Sequence, residues 1–151
     1  MAIFRFIART LLTSAVTSAA TTAALCLLSS RDTGRPAAAL NAVSHILWGD
    51  AAAKYDAWDI RHTLAGTVLN AGAMGMWSAV HACLPQPRSV LGAARNATIV
   101  SALAYVTDYH VVPHRLKPGF EQRLSGKSLF GTYAVLAASL AASSLATRGR
   151  G

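Results

Sequence analysis

Six side chains in this sequence could carry chemistry: His45, Asp50, His62, Asp108, His110 and His114. Imidazole and carboxylate are ligands for zinc, iron, copper and nickel, and histidine exchanges protons near neutral pH. Three of the six fall in one stretch, YVTDYHVVPHRLKPGF, at residues 105–120. His110 and His114 have the four-residue spacing that aligns two side chains on a helix, but Pro113 lies between them and breaks such a helix. Neither HExxH nor CxxC occurs. His62 and His110 could approach a haem iron from two helices, whereas His81 has no partner at its own end. The sequence fixes no cofactor; a metal and a haem stand as alternatives.

Apolar helices must position these residues. The chain has 151 residues, 53% hydrophobic and 13% charged, with net charge +8. Soluble domains average about a quarter charged residues. About 20 apolar residues cross a hydrocarbon core, and four stretches qualify: about 10–30, 62–84, 89–112 and 128–147. The third is the least clean, with Arg95 and Asp108 near its ends. The expectation is an all-α integral membrane bundle of four transmembrane helices in a single domain over 1–151. Asp59 caps the second span, Pro85 and Pro87 follow it, Pro113 closes the third, and Ser125 or Ser128 starts the fourth. A short helix at about 36–48, PAAALNAVSHILWG, is too short to span and reads as interfacial or re-entrant. Leu40, Val43 and Leu47 share one of its faces; Asn41, His45 and Trp48 share another. MAIFRFIARTLL also has the form of a signal peptide, but the run after it is long and Leu25 is too large for a lipoprotein-type site before Cys26. The first span is therefore expected to be retained.

Charge placement suggests orientation. With a cytoplasmic N-terminus, the inner side holds Arg5, Arg9, Arg88, Arg95, Arg148 and Arg150. The outer side holds Arg31, Arg35, Lys54, Arg61, Arg115, Lys117, Arg123 and Lys127. The inner segments are shorter and denser in charge, which favours N-in and C-in. All six acids, Asp32, Asp50, Asp56, Asp59, Asp108 and Glu121, fall outside. The six candidate residues thus gather at the outer boundary. Trp48, Tyr55, Trp58, Tyr105, Tyr109, Phe120, Phe130 and Tyr133 map there as an aromatic belt. Cys26 and Cys83 lie on opposite sides, too far apart to bridge. Lys and Arg edge the apolar runs, as membrane flanks do, and do not form a nucleic-acid footprint.

Packing between helices in lipid needs small residues. Asn70, Ala71, Gly75 and Ala79, with Cys83, mark the second span; Ala134, Ala138 and Ala142 mark the fourth. A hydroxyl stripe (Thr10, Thr13, Ser14, Thr17, Ser18, Thr21, Thr22) runs along the first, as packing material or as a polar path. Asn70 should bond across to a neighbouring helix. Asp108, about one turn inside its helix end, should find Arg61, His62 or Arg115 and lock the second helix to the third. SGKS at 125–128 lacks the glycine spacing of a phosphate loop, and Asn96-Ala97-Thr98 falls at a span end where glycosylation is not expected.

NAVSHILWGDAA, RHTLAGTVLNAGAMGMWSAV and YVTDYHVVPHRLKPGFEQRLSGKSL resemble small bacterial inner-membrane proteins that lack an assigned activity. The resemblance covers roughly residues 40–145. It implies a four-helix membrane protein and no particular chemistry. The functional expectation is a binding or accessory protein of the bacterial inner membrane, without classical enzyme chemistry. It would work through an outer-face His/Asp cluster, with the bilayer, another membrane protein or a second copy as partners. A metal- or haem-binding protein and a small oligomeric transporter are the alternatives.

Overall fold

The computed structural model describes residues 2–147. Arg148 and Arg150, counted above with the inner charges, lie outside the described residues. The described residues form helices and no strand. Helix α1 spans Ala2–Thr33, α2 Ala38–Val43, α3 His45–Trp48, α4 Ala65–Ala82, α5 Val90–Val106 and α6 Gly126–Ala146. π-type turns at Ile60–Leu64 and Thr107–Val111 extend α4 and α5 at one end of the bundle.

Three helical stretches are long and apolar enough to cross a membrane: Ile3–Thr33, Val90–Val111 and Gly126–Ala146. This is the character of a membrane protein. The expected count was four. Helix α4 falls short because its 18 residues include Asn70, Ser78 and His81. All three of those side chains are buried. The first helix also runs further than the sequence suggested, taking in Arg5 and Arg9 before the apolar run.

The capping expectations hold. Asp59 accepts from the Arg61 and His62 backbone N–H groups. Ser125 accepts from Ser128 N–H, and Ser89 does the same for α5 through Gly92 N–H. Val112 is extended before Pro113, which ends the α5 segment.

Helix α1 packs against both α4 and α6, and α5 packs along α6, while α4 meets α5 over a shorter stretch. Small and hydroxylated residues pack between the helices beside core residues such as Leu25, Val100 and Leu140. Asn70 crosses to α1 as expected, donating to Thr21 at 3.1 Å and Thr22 at 3.2 Å. Thr17 and Ser78 meet at 3.2 Å. Thr10, Thr21 and Thr33 of α1 and Thr132, Ser139 and Ser143 of α6 bond carbonyls one turn back in their own helices. That makes them packing material. Gly75 faces α1, where an added Cβ would lie 3.4 Å from Ser14 Oγ; Ala71 and Ala79 beside it are half-buried. The fourth-span stripe is placed differently. Ala134, Ala138 and Ala142 face outward, and α6 buries Thr132, Leu136, Ser139 and Leu140 instead.

The segment at 36–48 is largely buried at one end of the bundle. It breaks at Ser44 into α2 and α3, and every residue from Ala37 to His45 is buried. Both proposed faces are therefore covered, and only Leu47 and Trp48 emerge. Ser29 of α1 holds its start, donating to Arg35 O at 2.7 Å and accepting from Ala39 N–H at 3.1 Å. Its middle lies directly on the α4 backbone. A Cβ built on Gly66 would stand 1.9 Å from Leu40 O. No side chain fits there.

Gly66→Ala should consequently lower stability by at least about 1–3 kcal/mol through overpacking. Gly72→Ala, on the open side of the same helix with nothing within 4 Å, should leave stability unchanged or raise it slightly. Thermal unfolding of the two variants in detergent checks this contrast.

Candidate functional site

The two connections 34–59 and 112–125 meet at one end of the bundle. Asp32 accepts from Ser125 N–H at 2.8 Å. Arg115 donates to Ile46 O at 2.9 Å and Leu47 O at 3.2 Å. Arg123 pairs with Asp56. At the other end Arg9 reaches Gln86, and Asn96 donates to Pro85 O at 3.0 Å. The six candidate residues do share one end, but they form separate groups.

His45, Asp50 and His114 make the first group. His45 is fully buried, and its Nε2–H donates to Lys117 O at 2.8 Å. Its Nδ1 has no hydrogen-bond partner and lies 3.6 Å from Asp50 Oδ1; His114 Nε2 lies 3.9 Å from the same oxygen. Gly119, at φ +85°, lets the 114–120 connection close on this ring, since a Cβ there would stand 2.6 Å from both His45 Cδ2 and Ala42 O.

His62 belongs to a second group. It is buried, its Nδ1–H donates to Asp59 Oδ2, and its ring stacks on Tyr55 at 4.1 Å. Asn41 ties this group to α2. Its amide donates to Tyr55 O at 3.1 Å and Ala57 O at 2.8 Å, and its Oδ1 accepts from Thr63 at 2.7 Å. Thr63 in turn accepts from Asp59 N–H at 3.0 Å. Asn41 is thus a buried amide with three satisfied bonds, and nothing in the polar face assigned to the short helix signalled that role.

Asp108 forms the third. Its partner is none of the cations considered. Tyr133 donates to Asp108 Oδ2 at 2.6 Å, so the bond locks the third long helical segment to α6 and not to α4. Tyr133 and Phe120 are buried and lie 6.5 Å apart, which removes both from the expected interfacial belt. The π-type turn re-aims the residues that follow α5. His110 points away, exposed, with its ring 5.9 Å from Tyr105. The extended Val112 and Pro113 end any helical alignment of His110 with His114. Among the described residues no three His, Cys, Asp or Glu side chains form a metal-ligand group. Both cysteines are free, and Cys83 is exposed.

Asp108 and Tyr133 also line a cavity of about 120 Å³. Every long helical segment contributes to it: Thr21 from α1, Asn70 and Trp77 from α4, Ala104 and Asp108 from the α5 segment, and Thr132 and Leu136 from α6. Val43 and Ile46 of the buried segment, with Pro118 and Phe120, close the loop-rich end. The wall is mainly apolar with a few polar groups, the usual make-up of a small-molecule site. Comparison of the chain with protein-family models, curated proteins and solved structures finds no match.

Two outcomes follow for the tethers. Asn41→Leu strands the Tyr55 and Ala57 carbonyls and the Thr63 hydroxyl, and should cost about 1–3 kcal/mol in detergent unfolding. The carboxyl of Asp59 is held below the usual carboxylate range, first by the His62 ring and then by backbone N–H groups of His62 and Arg61. A lowered carboxyl stabilises the fold above its unfolded value of about 3.9, and the contribution is lost as pH falls through the folded value. Asp59→Ala should therefore unfold at a lower temperature than the wild type at neutral pH. The gap should close as the pH drops below that range.

Proposed function

We propose that the protein is a multi-pass protein of the bacterial inner membrane that crosses four times, with both ends in the cytoplasm. In this reading its task is to bind a small ligand in the cavity at the centre of the bundle. The observation that carries it is the cavity: about 120 Å³ between the long helices, closed at one end by the α2–α3 segment and the 112–125 connection. Apolar cavities near this size hold a benzene-sized molecule. Helix α4 serves as the fourth span. With its π-type turn it runs unbroken from Ile60 to Ala82, about 34 Å at 1.5 Å per residue, and it turns Asn70, Ser78 and His81 inward. The outward residues of the bundle are large and apolar, among them Leu11, Val16, Val68, Ile99, Leu103 and Phe130. A bilayer accommodates that surface.

Benzyl alcohol is a suitable probe. It should bind saturably to detergent-purified protein in titration calorimetry. Ala73→Phe, at a half-buried lining position, fills the space and should weaken binding at least tenfold without lowering the unfolding temperature. Non-saturable heats from both proteins would end the ligand reading. Orientation has a separate check. In a Cys26→Ala background, an impermeant maleimide should label Cys83 in inverted vesicles and not in spheroplasts. The reverse pattern would overturn the N-in, C-in assignment.

A further inference from the structure

We propose that the cavity selects a small organic monocation, an alkyl- or arylammonium ion, with Asp108 as its counter-charge; this rests on the reading of the cavity as a ligand site. Asp108 is the one charged side chain among the lining residues, and no Lys, Arg or His joins it there. Its only hydrogen bond among the described residues is from a neutral phenol, Tyr133, and it forms no salt bridge among them.

Two arginines of the loop closing this end are committed elsewhere. Arg115 serves the Ile46 and Leu47 carbonyls, and Arg123 pairs with Asp56. Glu121, next to the lining residue Phe120, has its Oε2 buried without a hydrogen-bond partner. Among the described residues neither Asp108 nor Glu121 forms a salt bridge. An ionised carboxylate in such a place is costly unless paired.

The rest of the wall suits a cation that is also apolar. Trp77, Phe120 and Tyr133 all line the cavity, and each is at least nine-tenths buried. Aromatic faces attract ammonium ions, indole most strongly, and the attraction grows when water is excluded. Met74, Leu69 and Leu136 complete the wall and would cover a hydrocarbon or aryl body. The volume limits the ligand to about the size of a single ring.

Benzylammonium and benzyl alcohol share one shape and differ in charge, so together they separate the two claims. Calorimetry on the full chain in detergent at neutral pH should give at least tenfold tighter binding of benzylammonium. Asp108→Asn should reduce that preference below twofold. Tyr133→Phe, which keeps the carboxylate, should retain the preference. Wild-type protein that binds the alcohol as tightly as the cation would overturn the charge selectivity and leave the cavity site standing. Binding of neither probe would sink both. A persisting preference in Asp108→Asn would remove Asp108 from the role. Should that variant fail to fold, the wild-type ratio and the Tyr133→Phe ratio still decide.

Discussion

A backbone contact governs this structure: the carbonyl of Leu40 lies where the side chain of residue 66 would otherwise be. A six-residue helix with no exposed surface cannot hold its place by propensity, because isolated helices of that length are unstable in water. It is held by neighbours. Ser29 fixes its start, Gly66 admits its backbone, Asn41 binds the loop beyond it, and Gly119 lets the second connection close over its end. Because Val43 and Ile46 also line the cavity, the same segment that organises the loop-rich end forms one wall of the candidate site.

The long helices follow a different rule. Their contacts use small and polar residues beside a core that includes Leu25, Val100 and Leu140, and many of their large apolar residues face outward. In water this arrangement would leave a broad apolar surface uncovered. In lipid, outward leucine loses nothing, and helices associate through close packing and hydrogen bonds. Asn70 with Thr21 and Thr22, Thr17 with Ser78, and Ser101 with the Tyr133 carbonyl are such bonds. Helix α4 packs by the same rule although it is not among the three stretches long and apolar enough to cross a membrane, because its polar groups Asn70 and Ser78 find partners inside the bundle.

Much of this was legible in the sequence where the signal was local. Asp59, Ser125 and Pro113 stand where the helices start and stop, since caps and proline act within one turn. Asn70 crosses to another helix, since a lone amide in an apolar run has few alternatives. What was not legible depended on distant neighbours. The face of α6 was misassigned because alanine and serine stripes both recur at helical spacing, and only the partner helices decide which is buried. Tyr133 read as an interfacial aromatic, and nothing near it in sequence marks it as the partner of Asp108, 25 residues away. His45, His62, His110 and His114 share an end, as charge placement suggested. Whether they share a site was set by the turns at Ser44, Val112 and Gly119, which sequence spacing does not resolve.

The division of those polar residues bears on function. His45 and His62 are each held by a neighbour, one by the Lys117 carbonyl and one by Asp59. The first bond joins two segments of the loop-rich end, and the second fixes the capped start of the Ile60–Leu64 turn. Asp108 is different. Its bond to Tyr133 secures α6 to the end of the α5 segment, yet a neutral phenol leaves the carboxylate charge unbalanced. Structural duty alone would be met as well by an asparagine, which accepts the same hydrogen bond without charge. A carboxylate at this position, facing an apolar cavity with three aromatic rings, therefore has a surplus that packing does not require. A bound cation, or a proton in its absence, is what would balance it.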